Sequence, residues 1–316
     1  MVIRLQYRGE KTMQCIICHK EKEKSDEHII PEALGNKKLI TRRVCEECNN
    51  KLGARVDDYL TNHPLVKIIR SGEKLTGKSG KKVNFFSSVE TDEKTGIKYE
   101  MKSGIPKLMP RLLTNENGHI RIEASTKEEG VAFLKKLLKR EGYSETQIDD
   151  FCKDAIAGEF NIIEPPEFKK DVIIDFSRMD IAAIKIAYEY AFEVLGEDYL
   201  NDEVAQLFSK ELYSIANTEK KEINVSDSLA QYVTYPLSGS GIESLLEETR
   251  NSIKKTNTDI LHTIFFIKQD GCLYCILNLC MMEIISFAVK VTNNADRYSK
   301  KLPFTLVYRD GKCITL

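Results

Sequence analysis

Apolar and polar positions along the chain change period several times, and each change marks a predicted element. Leu39 to Val44 reads as a strand. Asn49 to Leu60 reads as a helix, with Leu52, Val56, Tyr59 and Leu60 at helical spacing and His63-Pro64 as its stop. K-V-N-F-F-S-S-V (82–89) and G-I-K-Y-E-M (96–101) read as two strands joined by a T-D-E-K-T turn. Ser125 to Gly142 predicts an amphipathic helix capped by Ser125 or Thr126, with Glu128 or Glu129 reaching back. Ser144 to Ala157 predicts a second, with Ser144 and Gln147 as its capping box, and Pro165-Pro166 breaks the pattern before a strand at Asp171–Phe176. Met179 to Leu195 is the strongest helix. Its charges Lys185, Glu189 and Glu193 share one i, i+4 stripe and nearly everything else is apolar, which predicts a buried helix in the core of a second domain. Gly196 stops it, and Glu203–Ala216 follows as an amphipathic helix. The last sixty residues turn to long apolar runs. Ile260–Lys268 and Leu273–Val291 read as buried strands around Gln269-Asp270-Gly271, and Phe304–Tyr308 and Lys312–Leu316 as a hairpin around Arg309-Asp310-Gly311.

Composition narrows the class. A chain of 316 residues has room for two or three domains, and 42% hydrophobic with 30% charged residues suits a globular protein. No apolar run is long enough to span a bilayer, so no membrane partner is expected, and the N-terminus has no signal-peptide pattern. Met13 could equally be the natural start. Nine cysteines, an odd number, with recurrent C-x-x-C spacing predict metal use in a reducing compartment, the cytoplasm of a bacterium. The charge is unevenly spread. Residues 1–82 hold 18 Lys and Arg against 11 Asp and Glu, a net +7, and the remainder holds 29 against 37, a net −8. A basic N-terminal end fits phosphate binding there, with Lys37, Lys38, Arg42, Arg43, Lys51 and Arg55 as candidate nucleic-acid contacts.

The candidate chemistry sits in Cys15 to Gly53. Cys15/Cys18 and Cys45/Cys48 form two C-x-x-C pairs separated by the 26 residues 19–44. Two such turns can complete a tetrahedral Cys₄ zinc site, which is closed and holds the fold. The long spacer leaves room for something else, and it carries Glu27-His28. A neutral imidazole is a good general base near neutral pH, and carboxylate and amide oxygens suit Mg²⁺ or Mn²⁺. On an extended segment adjacent side chains point to opposite sides or splay around a bend, so one could hold a metal while the other faces the reacting group. Asn49 and Asn50 follow the second Cys pair, so the zinc staple would fix their position. His19 and His63 read as exposed and loop residues, and His119 and His262 carry no pattern. Asp57 and Asp58 read as plain helix surface. A third C-x-x-C, Cys272/Cys275, lies in an apolar strand where residues three apart face opposite sides. It reads, with Cys280 and Cys313, as buried thiols.

The segments E-H-I-I-P-E-A-L-G-N and V-C-E-E-C-N-N-K-L-G resemble the HNH endonuclease family, in its Cys₄-zinc branch with the ββα-metal fold. The resemblance covers about residues 13 to 60, under a fifth of the chain. It implies metal-dependent hydrolysis of a DNA phosphodiester, with His28 deprotonating the attacking water, Glu27 with Asn49 or Asn50 holding one divalent ion, and Asn36 as the middle Asn that braces the loop. Glu stands where the family more often has Asp or His, and Asn where it has a last His; both keep an oxygen ligand and point to Mg²⁺ or Mn²⁺.

The expected architecture is α+β: a small zinc-stapled ββα-metal domain over residues 1–70, then a larger α+β domain over 71–316 with an antiparallel sheet and buried helices, and a sub-boundary near 170. The resemblance places such chains among bacterial anti-phage defence and mobile-element nucleases. It gives the second domain a regulatory, target-recognition or oligomerisation role, through an activating ligand, a partner or a homodimer. The competing expectation is a zinc-ribbon module that binds nucleic acid or protein and cuts nothing.

Overall fold

A computed structural model describes the chain except for residues 1–11, 78–79, 86, 103–104, 115–119, 159–164, 169–175, 177–178, 219–226, 235–246, 248–250, 252–258 and 299–300. By its contacts the chain divides into two compact units. One joins Met1–Val83 to Ile173–Leu316, and the other is Asn84–Val172. This division does not fall at the sequence boundary near residue 70: it puts the cysteine-rich segment and the C-terminal sheet into one body.

In the first unit, β1 (Thr12–Gln14) and β2 (Glu21–Glu23) form an antiparallel ladder around the first cysteine turn. A second ladder pairs β3 (Glu27–His28) with β4 (Ile40–Thr41), Glu27 opposite Thr41 and His28 opposite Ile40. The loop between them makes one 3₁₀ turn at Glu32–Leu34 and ends on Gly35 at φ +94°. A side chain there would be strained, and its Cβ would lie 2.7 Å from Leu261 Cδ2. α1 (Glu46–Leu52) starts at the second cysteine pair, earlier than the apolar spacing indicates, because Cys45 stands at its N-cap in extended conformation. A π-turn at Gly53–Asp57 carries it into α2 (Asp58–Asn62). His63 leaves the helical region and Pro64 opens α3 (Pro64–Gly72), where its missing N–H costs nothing.

The second unit is built from β5 (Val89–Thr91), β6 (Lys98–Lys102) and β7 (Ile105–Leu108) in one antiparallel sheet, and β8 (Arg111–Thr114) with β9 (Ile120–Glu123) in another. The strand expected from residue 82 starts at Val89 instead. α4 (Lys127–Arg140) and α5 (Glu145–Ala157) pack together. Their caps match the sequence: Thr126 accepts from the Glu129 N–H, and Ser144 with Gln147 forms a full capping box. The strand expected at 171–176 lies outside the described residues apart from Phe176, which is in no strand.

The chain then returns to the first unit. α6 (Met179–Leu195) buries every position except Asp180, Glu193 and Val194. After it come α7 (Glu203–Asn217) and a short α8 (Asp227–Ala230). A six-stranded antiparallel sheet follows, in the order β10 (Val233–Thr234), β13 (Ser286–Thr292), β12 (Cys272–Asn278), β11 (Ile260–Gln269), β14 (Phe304–Tyr308) and β15 (Cys313–Thr315). α6 packs on β12 and β13 on one side, and on the π-turn and α2 on the other. That double packing is why its apolar residues run all the way round. One continuous core runs from Ile16, Ile29 and Leu34 through Ile184 and Tyr188 to Leu273 and Phe287. Each such fully buried side chain contributes about 1.5–3 kcal/mol, so the cysteine-rich segment draws much of its stability from α6 and the sheet.

Candidate functional site

Cys15, Cys18, Cys45 and Cys48 converge, with their sulfur atoms all within 4.8 Å of one another. The first turn is closed by His19 N–H donating to Cys15 O at 2.8 Å and Cys15 N–H donating to Lys20 O at 3.0 Å, with His19 at φ +54°. The Cys45 N–H donates to Cys15 Sγ at 3.4 Å and ties the second pair to the first. The Cys48 thiol, hydrogen-bonded to Cys15, holds Cys15 down at about 4, while that same bond and burial push Cys48 far up; burial raises Cys18. Four thiolates at this spacing would repel one another strongly without a dication between them. The donor set and spacing are compatible with a structural zinc, and a site closed by four sulfurs leaves chemistry to other groups.

The β3–β4 register sorts the hairpin into two faces. Glu27 and Thr41 stand opposite each other and both face α6. Lys185 Nζ donates to Glu27 Oε1, and Thr41 Oγ1 donates to Glu193 Oε1 at 2.5 Å. Glu27 is only 2% exposed. His28, opposite Ile40, is half-buried and belongs to the other face. Beside it, Asp26 and Arg42 form an exposed ion pair at 2.7 Å.

Asn49 reaches this hairpin from α1. Its Nδ2 donates to Ser25 Oγ at 3.1 Å and to Asp26 O at 3.4 Å, so Oδ1, on the other branch of the planar amide, is turned away from those bonds. The neighbouring Asn50 is exposed. Asn36 is fully buried and braces the loop from both ends of its amide. Nδ2 donates to Ile30 O at 2.7 Å and Leu39 O at 2.8 Å, and Oδ1 accepts from the N–H groups of Lys38 at 3.2 Å and Leu39 at 2.9 Å.

Behind the hairpin lies a charge cluster. Lys185, fully buried, also meets Asp57 Oδ2 at 3.2 Å and Glu189 Oε2 at 3.5 Å. Asp57 therefore turns inward rather than forming helix surface as the sequence suggests. Burial pulls Lys185 down, but Asp57, Glu189 and Glu27 outweigh it and hold the ammonium well above its ordinary range. Burial pushes Asp57 up to about 6 against the pull of Lys185, and drives Glu189 well upward. Sequence reasoning placed Lys185 in an ordinary core. The available signal was the Lys185, Glu189, Glu193 stripe on a helix with no room for a solvent face.

The basic candidates separate. Lys37, Lys38 and Arg42 are exposed. Arg43 pairs with Glu197 and lies over the Phe192 ring at 5.0 Å, and Lys51 donates to Glu47 Oε1 and Asn217 Oδ1, each at 2.7 Å. These two brace the segment against α6, α7 and the turn after α6. Arg55 is half-buried in the π-turn. His262, without pattern in the sequence, is fully buried in β11: its Nε2 donates to Leu34 O at 2.8 Å and its Nδ1 accepts the Cys280 N–H at 3.0 Å. His19 is exposed and bonds Ser209 Oγ at 2.6 Å, His63 is buried against Phe176, and His119 lies outside the described residues.

No helix among the described residues is long and apolar enough to cross a membrane. Comparison with curated proteins and with solved structures finds no match. A family model described as HNH endonuclease matches residues 15–65, the stretch that contains all four clustered cysteines, the hairpin, α1 and α2. The match spans 51 of the 316 residues, so the likeness to HNH endonucleases concerns the segment 15–65.

Proposed function

We propose that the protein is a Mg²⁺- or Mn²⁺-dependent DNA endonuclease with a structural Cys₄ zinc. The observation that carries this reading is the tether of Asn49 to Ser25 and Asp26, directly before Glu27-His28. It ties α1 to the hairpin that carries the acid–imidazole pair. His28 lies on the face away from the core, where a phosphodiester can approach, and takes the proton of the attacking water. The new P–O bond forms as the bond to the 3′-oxygen breaks, and the leaving oxygen takes a proton from solvent water, giving a 5′-phosphate and a 3′-hydroxyl. Glu27 and Asn49 Oδ1 are hard oxygen donors that would hold the divalent ion. When bound, the ion supplies charge stabilisation to the phosphate and the leaving oxygen. Lys37, Lys38 and Arg42 are the exposed cations for backbone phosphates.

One observation favours the second reading, a zinc module that binds without cutting: Glu27 is buried and held by Lys185. Plasmid cleavage by the full chain with Mg²⁺, Mn²⁺ or EDTA separates the two. His28→Ala should lower the rate by about 10²–10⁴-fold with zinc content unchanged. Cleavage by His28→Ala at the wild-type rate overturns the assignment of the base, and no metal-dependent cleavage by the wild type overturns the nuclease reading.

A further inference from the structure

We infer that Lys185 of α6 is a positioning residue for Glu27, so that the helix after the second unit completes the metal site of the HNH segment. This rests on the nuclease reading above, which makes Glu27 a metal ligand. Three features point to it. Lys185 is fully buried, and its ammonium donates to Glu27 Oε1. The same ammonium bonds Asp57 Oδ2 at 3.2 Å, on the π-turn that continues α1, so one group ties the hairpin to the helix that carries Asn49. Glu189 is also fully buried, lies 3.5 Å from Lys185 Nζ, and both its carboxylate oxygens lack a hydrogen-bond partner among the described residues.

The charge count decides what the lysine does. Three carboxylates surround one ammonium. A buried carboxylate without a cation beside it is driven to move toward water or to lose its charge. With Lys185 in place, Glu27 keeps one orientation on the inner face of the hairpin. A ligand held in advance binds an ion more tightly than one that must be ordered on binding.

The test is a double-mutant cycle on the zinc-loaded full chain, using Lys185→Met, Glu27→Gln and the double variant. Mn²⁺ binding is read by titration calorimetry and plasmid cleavage is read in parallel. Lys185→Met should weaken Mn²⁺ binding about tenfold or more, and should add no further loss in the Glu27→Gln background, since its effect runs through Glu27. Additive losses in the cycle, or unchanged Mn²⁺ affinity in a folded Lys185→Met, would show a scaffold role only. Tighter Mn²⁺ binding by Lys185→Met would show a lysine that competes with the ion. Either result overturns the inference. If Lys185→Met melts too early to assay, Lys185→Met with Glu189→Gln keeps the net charge of the cluster, and the same cycle is run in that background. Wild type that binds Mn²⁺ through Glu27 yet cuts no DNA removes the nuclease reading alone; wild type that cuts while the cycle is additive removes the Lys185 inference alone.

Discussion

Two buried polar centres meet at the segment 15–65, and they are assembled in opposite ways. The cysteine cluster takes all four members from Cys15 to Cys48, a single short stretch. The lysine cluster takes Glu27 from the hairpin, Asp57 from the π-turn, and Lys185 and Glu189 from α6, with Lys185 158 positions after Glu27. The first is a local device that the spacing C-x-x-C announces. The second is a tertiary one, formed only when α6 docks. The contrast shows that this segment is stapled from within by sulfur and clamped from outside by charge.

The comparison can be broken at its strongest point first. Cys45→Ser should release the metal and unfold residues 12–72, because metal binding to such sites is worth on the order of 10 kcal/mol. Metal content and amide exchange report it, and a variant with full metal content and native exchange would refute the staple. Lys185→Met comes next. Removing one partner of a buried ion cluster costs about 3–5 kcal/mol, which urea unfolding should show as an earlier transition with the cysteine cluster still metallated.

A third probe uses acid. Burial holds His262 down at about 4, against about 6.5 when unfolded. The unfolded chain binds the proton first, so the stability from neutral His262 is complete above pH 6.5 and is lost as pH falls toward 4. The loss is about 3 kcal/mol, at about 1.4 kcal/mol per pH unit. His262→Gln should flatten this part of the urea-midpoint profile, and an unchanged slope between pH 6.5 and 4.5 would contradict it. The smallest effect belongs to the local brace: Asn36→Ala should cost about 2 kcal/mol, since it orphans buried backbone groups of the loop, without changing metal content.

What was legible in the sequence follows the same division. The cysteine pairs lie within one window, where the C-x-x-C spacing carries the geometry, and the brace Asn36 followed from the resemblance. The bounds of α6 were legible too, because its apolar run is long and Gly196 ends it. The destination of its charges was not. Periodicity places Lys185, Glu189 and Glu193 on one stripe and is silent on what meets that stripe. The same silence hid Asp57, His262, and the use of Arg43 and Lys51 as braces to the C-terminal region rather than free phosphate contacts. The boundaries near 70 and 170 bracket the unit Asn84–Val172, but the return of the later chain to the first unit was not legible, because it depends on contacts between residues far apart in sequence.

The discontinuity of the first unit has a consequence for biosynthesis. The hairpin and α1 leave the ribosome early, but α6 follows only after the whole of Asn84–Val172 has been made. At about 5–20 residues per second, the 158 additions that lead from Glu27 to Lys185 amount to a delay of roughly 8–32 s. Throughout that interval the nascent segment can take up zinc, yet it lacks the ammonium that holds Glu27. A chain released early, by a nonsense codon or a stalled ribosome, would therefore hold the four cysteines and Glu27 without the buried ammonium of Lys185 that meets Glu27 in the finished chain.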